Sequence, residues 1–244
     1  MSSRLKLVAL GVIIISAIIV LLALGTWQVV RLQQAGRDDA YREARVNAAP
    51  ITWSSSANLA PADVDFHRVT ISGKWDNAHT FVLTNRARYD LLGKDVVTPL
   101  LPDDGGPAIL VNRGWFPDAD REQTLAKLAA EDRATVQGLA VLPSKIEPGR
   151  QTSTGDWTRV DPDTMGRGLP YPLQGWQLLQ GRRTTLADST SAPPSLPVQL
   201  WVAEGPALPH LDYALTWYSL AAILIAVVAI RARQLRAEAA AARH

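Results

Sequence analysis

Two stretches of this chain are apolar almost without interruption, and the long stretch between them changes period. Residues 7–27 form an uncharged run of 21 positions. As a helix rising about 1.5 Å per residue, such a run spans roughly 30 Å, the hydrocarbon thickness of a bilayer. Residues 211–230 form the second run. It is entered through His210-Leu211-Asp212-Tyr213-Ala214-Leu215-Thr216-Trp217-Tyr218 and is aliphatic beyond that collar. An uncleaved anchor suits the first run better than a signal peptide. A signal's apolar region is usually about 7–15 residues long and leads to a small-residue cleavage site, whereas this run closes on Gly25-Thr26-Trp27-Gln28. Helical patterning continues to about Val46, with Asp38 and Arg42 paired at i,i+4, and Pro50 stops it.

Over residues 66–73 apolar and polar side chains alternate, the pattern of a half-buried strand. Residues 80–85, 95–101, 108–112, 134–142, 173–179 and 198–203 are predicted as further strands. Residues 118–130 read as a helix, with Glu122 in the first turn and Leu125 and Leu128 behind it. Residues 149–172 and the Ser/Pro-rich 188–197 read as connections. About six or seven short strands and one helix argue for one small barrel or sandwich. The expected fold is therefore a membrane protein in which two transmembrane helices flank an extracytoplasmic, antiparallel, β-rich α+β domain. Its parts are a cytoplasmic N-terminus (1–6), a first span (7–27), the domain (28–209), a second span (211–230) and a basic cytoplasmic tail (231–244).

Charge supports this topology. The formal net charge is +2, yet residues 33–209 hold 18 Lys and Arg against 21 Asp and Glu. The basic excess sits at the ends: Arg4 and Lys6 before the first run, then Arg231, Arg233, Arg236 and Arg243 after the second. The positive-inside rule then places both termini in the cytoplasm and the middle outside, with the lipid bilayer as a partner and no nucleic acid. The first run begins a few residues after Met1, which leaves no room for a mitochondrial presequence and suggests a bacterial plasma membrane.

There is no cysteine. That excludes disulfides, thiolate zinc sites, Fe–S clusters, a cysteine nucleophile and covalent c-type haem attachment. The histidines are His67, His79, His210 and His244, and none has a partner at metal-binding spacing. A His-Glu-x-x-His motif, a Gly-x-Ser-x-Gly elbow and a Walker loop are all missing. Asp161-Pro162-Asp163 reads as a turn. No enzymatic activity is expected. A membrane-anchored hydrolase would need a Ser/His or carboxylate site converging in the middle domain.

His210 differs from the other histidines in its surroundings. On a helix, His210, Tyr213, Ala214, Trp217 and Ala221 form one stripe. The imidazole stands at its top, with aromatic rings below and alanines where something flat can approach. An ionisable group at membrane depth is expensive and suggests a task, and imidazole is a common axial ligand of haem iron. The stripe also reads as an interfacial aromatic belt with a solvated histidine. Trp27 and Arg31, one turn apart, form a second collar that reads as plain anchoring.

Four landmarks carry a family resemblance. They are Gly25-Thr26-Trp27-Gln28-x-x-Arg31, Val111-Asn112-Arg113-Gly114-Trp115, Gly205-Pro206, and His210-Leu211-x-Tyr213-Ala214-x-Thr216-Trp217-Tyr218. In this order they resemble the Surfeit locus 1 (SURF1/Shy1) family of cytochrome c oxidase assembly factors, over nearly the whole chain. The family often has Asn just before the histidine, where this chain has Leu208-Pro209.

The resemblance implies a biogenesis factor that binds or delivers haem a to subunit I of cytochrome c oxidase at the outer face of the membrane, with haem a synthase as a further partner. It implies His210 as axial ligand to the haem iron, held transiently and non-covalently. Tyr213 and Trp217 would line one side, and Arg31 or Arg113 would neutralise propionates. Against this, Asn112-Arg113-Gly114-Trp115 also reads as a strand end that packs a turn, with Trp115 in the core. His67 and His79 are candidates for a second axial ligand. The alternative reading is a docking factor that stabilises the oxidase or a respiratory supercomplex without binding haem.

Overall fold

The computed structural model describes residues 3–57, 59–144, 147–184, 195–202 and 209–241. In chain order the elements are α1 (Ser3–Val46), β1 (Ile51–Thr52), α2 (Pro61–Val64), β2 (Arg68–Trp75), β3 (Phe81–Arg88), β4 (Leu91–Pro102), β5 (Ala108–Pro117), α3 (Arg121–Ala129), β6 (Arg133–Val141), α4 (Pro162–Met165), β7 (Leu173–Gln180), β8 (Arg182–Arg183), β9 (Leu200–Trp201) and α5 (His210–Ala241). They form two compact units. One comprises Met1–Ala40 with Pro206–His244, and the other is Tyr41–Gly205. The expected connection at 188–197 and the Gly205-Pro206 landmark fall largely or wholly outside the described residues.

Five strands of the second unit close on themselves. β2 pairs antiparallel with β6, β6 with β7, β5 with β4, and β4 returns to β2 through Gly73–Trp75 against Leu100–Pro102. β5 and β7 close the ring in parallel. β3 extends the wall beside β4, and β1 lies parallel to β2. With α3 between β5 and β6, this is the five-stranded Greek-key barrel of the OB type. The expectation of an antiparallel domain is corrected here for a geometric reason. A closed ring of five strands cannot alternate direction all the way round, so at least one neighbouring pair must be parallel.

The period-2 pattern of β2 puts Val69, Ile71 and Trp75 inside the barrel. They meet Leu100, Ile109, Val111, Val136, Trp176 and Leu178 there. Trp53 closes one end, edge-on to Trp176 with ring centroids 5.1 Å apart. β4 and β5 are buried on both faces. Outside the barrel wall, Val97 and Leu110 are covered by Leu83, Trp157, Val160 and Met165, which is why these strands read as continuous apolar runs.

Strand β5 runs through Asn112-Arg113-Gly114-Trp115 instead of ending there. Val96 stands opposite Gly114 and Val97 opposite Asn112, so Arg113 is the extra residue of a β-bulge. Gly114 has φ +122°, and a Cβ there would lie 2.6 Å from the Val198 carbonyl oxygen. Position 114 therefore has to be glycine for the chain segment at Val198 to pair with Trp115. Likewise, the strand predicted from Phe66 begins at Arg68, because Phe66 takes φ +59°.

Candidate functional site

In the first unit α1 and α5 run antiparallel. Contacts move from Gln28 with His210 to Thr26 with Tyr218, so position falls on one helix as it rises on the other. Both helices are long and apolar enough to cross a membrane. Small residues let them approach. Gly25 faces the Tyr218 ring, and Ala214 and Ala221 are only 2% and 1% exposed. The Thr26 hydroxyl lies 3.1 Å from the Tyr218 hydroxyl.

The stripe on α5 is therefore a helix–helix seam. His210, Ala214, Trp217 and Ala221 recur at intervals of four, three and four, the spacing that keeps one face turned toward a partner helix. The alanines, expected to leave room for a flat ligand, are buried instead. Tyr213 lies off the seam and is 52% exposed, while Trp217 is half-buried.

At the end of the seam His210 is half-buried and its Nδ1 lies 2.9 Å from Gln28 Oε1. Among the described residues Nε2 makes no hydrogen bond. Arg31 stands one helical turn beyond Gln28. It is exposed, and its Nη1 donates to Gln34 Oε1 at 3.3 Å within the same helix. Together the group offers an imidazole and, one turn beyond its Gln28 partner, a guanidinium. Gln28 is absent from the residues nominated from sequence. Its signal was present: an uncharged polar side chain three positions after Gly25, at the end of an apolar helix.

Arg113 is not part of this group. It belongs to the barrel unit and is 1% exposed. Its guanidinium donates to Asn77 Oδ1 at 3.1 Å, to the Leu128 carbonyl at 3.2 Å and to Glu131 Oε2 at 2.6 Å, and it lies 4.1 Å over the Trp75 ring. Burial pulls its pKa below the ordinary arginine range, with Glu131 opposing. The role of propionate contact is corrected to that of an internal brace, because the guanidinium is buried and both its Nη atoms donate inside the domain. Trp115 is fully buried and its Nε1 donates to the Arg86 carbonyl, so it belongs to the core as expected.

His67 and His79 also lie in the barrel unit. His67 Nδ1 is buried with no hydrogen-bond partner, and burial, then Arg45, lowers its pKa. His79 Nδ1 is 2.6 Å from Asp76 Oδ2, which also accepts from the Tyr171 hydroxyl. Among the described residues no hydroxyl is bonded to the remaining nitrogen of His79, and no group of three His, Cys, Asp or Glu is placed to hold a metal. His244 and Leu208 fall outside the described residues.

Gly25 controls how closely the helices meet. A Cβ there would stand 2.7 Å from Tyr218 Cε1. Gly25→Leu is expected to separate the helices and break the Gln28–His210 bond. The chain has no cysteine, so a short bis-reactive linker across a Gln28→Cys/His210→Cys pair reports the distance. Cross-linking yield should fall several-fold in the Gly25→Leu background. An unchanged yield would show that the seam does not close at Gly25.

Comparison with known proteins follows from this geometry. The model of the SURF1 family matches residues 15–222, a span that contains Gly25, Gln28, Arg31, His210 and Trp217. The chain is similar to Surfeit locus protein 1 of Arabidopsis thaliana, with 26% identity over 82% of this chain and 71% of that protein. It is similar to a SURF1-like protein of Rickettsia felis, with 25% identity over 91% and 96%. It is also similar to the cytochrome oxidase assembly protein SHY1 of Saccharomyces cerevisiae, with 24% identity over 58% of this chain and 36% of that protein.

Proposed function

The chain belongs to the SURF1 family, and on that premise we propose that it is an assembly factor for haem–copper cytochrome oxidase that holds haem a for subunit I at the outer face of a bacterial plasma membrane. Both termini are cytoplasmic in this reading, the barrel is extracytoplasmic, and haem a synthase is the source of the cofactor. The observation that carries it is the imidazole of His210, with one nitrogen bound to Gln28 and the other making no hydrogen bond among the described residues, at the end of an apolar two-helix seam. Similarity to a yeast cytochrome oxidase assembly protein supports the oxidase as client.

Bound haem a would supply an iron centre for axial ligation and two propionate carboxylates. His210 Nε2 would be the protein ligand. Arg31 is placed one turn along α1 and can swing its guanidinium from the exposed Gln34 contact to a carboxylate, a bidentate match. Trp217 and Tyr213 would offer apolar faces beside the ring. A single non-covalent ligand from the chain suits a carrier, because nothing but that bond and apolar contact has to be given up on transfer. No chemical step on substrate is assigned to the chain.

The test is the haem content of the full chain purified in detergent. Wild type should carry haem a absorbance in sub- to near-stoichiometric amount, and His210→Ala should lose it. Equal content in both would sink the assignment of His210.

A second reading, docking on the oxidase without haem, is favoured by one feature of the barrel. Tyr89 and Asp90 form a two-residue turn with φ +54° and +58°, and the hairpin then exposes Leu91 and Leu92, the latter 71% exposed. Burying one leucine at an interface is worth about 1.5–3 kcal/mol. Leu92→Ser should therefore weaken capture of the oxidase about 10-fold or more, with haem content unchanged. Capture at wild-type strength would remove the hairpin as a contact.

A further inference from the structure

We propose that Gln28 is the positioning residue for His210: it fixes the imidazole tautomer, keeping the proton on Nδ1 and the lone pair on Nε2. This rests on the reading of His210 as an iron ligand, but its geometry stands on its own. Gln28 is 9% exposed on a helix face otherwise built of Gly25 and aliphatic side chains. A buried amide is costly without a partner. The partner here is Nδ1, 2.9 Å from Oε1.

An amide oxygen can only accept, and a neutral imidazole has one donor and one acceptor nitrogen. The bond to Oε1 therefore makes Nδ1 the donor and leaves Nε2 as the unprotonated nitrogen. Metal-bound imidazoles generally donate their other N–H to a carbonyl or carboxylate, which fixes the ring and raises its basicity. The close approach at Gly25 brings α1 near enough for position 28 to do this.

A hydrogen bond can also serve simply to hold two membrane helices together. Such a role would leave the tautomer and the electronic state of bound iron indifferent to the acceptor at position 28. Two variants of the full chain in detergent separate these roles. Gln28→Leu removes the acceptor, and Gln28→Glu keeps one of greater strength.

The first measurement is nitrogen NMR of 15N-histidine-labelled, haem-free protein. With the imidazole neutral, His210 should show a protonated Nδ1 and a bare Nε2 in wild type and Gln28→Glu, whereas Gln28→Leu should show mixed tautomers. The second uses protein loaded with haem a. Gln28→Leu should release it about 10–100-fold more readily. Gln28→Glu should retain it with a lower midpoint potential, since a charged acceptor makes the imidazole a stronger donor to iron. An unchanged tautomer in Gln28→Leu, or unchanged retention and potential in both variants, overturns the proposal. If wild type takes up no haem a, the haem reading falls and the NMR result alone decides the role of Gln28.

Discussion

His210→Ala is expected to strip haem a from the purified chain while leaving its fold intact. Loss of an outer-shell partner typically costs about 10–100-fold in metal affinity, and removing the ligand itself should exceed that. The fold should survive because His210 is the first residue of α5 and only half-buried, so the seam still closes through Gly25, Ala214 and Ala221. Alanine is also the best helix former. Helicity by circular dichroism should match wild type, and oxidase capture should persist through surfaces other than the seam. The informative combination is thus intact helicity, lost haem and retained capture. Lost capture along with lost haem would instead mean that cofactor and client are bound as one unit.

Much of the fold is legible in the sequence because its determinants are local. The run from Leu7, the pair Asp38 and Arg42 and the stop at Pro50 fix α1, which ends at Val46 as predicted. Alternation fixes β2, β6 and β7 to within two residues. The parallel pairing of β5 with β7 is not local. It follows from ring closure with five strands, which no window of residues records. β1 and β8 are two residues each and are defined by backbone pairing, not by a side-chain pattern.

The site was legible as a face and misread as to what covers it. Periodicity groups His210, Tyr213, Ala214, Trp217 and Ala221, but one helix's pattern cannot say whether a ligand or another helix lies against it. The small residues at 25, 214 and 221 were the available sign, since they permit backbone approach in a membrane. Arg113 shows the converse. The predicted strand stops at Asn112, although glycine within a strand, here Gly114, also marks a bulge. The guanidinium at the bulge is buried, where the family resemblance implied a ligand contact and the residues themselves read as packing.

Arg113→Met should therefore damage the barrel and not the proposed haem site. The guanidinium joins the β5 bulge to the C-terminal end of α3, through the Leu128 carbonyl, and to Asn77, whose own Nδ2 donates to the Ala129 and Glu131 carbonyls. A cation at a helix C-terminus is favourable, and stacking on Trp75 adds to it. Two features limit the loss. The Glu131 side chain is half-exposed, so water can take over its charge, and Arg113 Nε is already buried without a partner. The net cost should be about 3 kcal/mol, from hydrogen bonds to a charged group and the packing around it. For a domain of this size, at roughly 2–4 °C per kcal/mol, Tm falls by about 6–12 °C. Arg113→Lys should restore little of this, because an ammonium cannot serve Asn77, Leu128 and Glu131 in a fork. Haem a per folded chain should be unchanged in both variants. A normal Tm with haem lost would return Arg113 to the cofactor site and overturn its assignment as a brace.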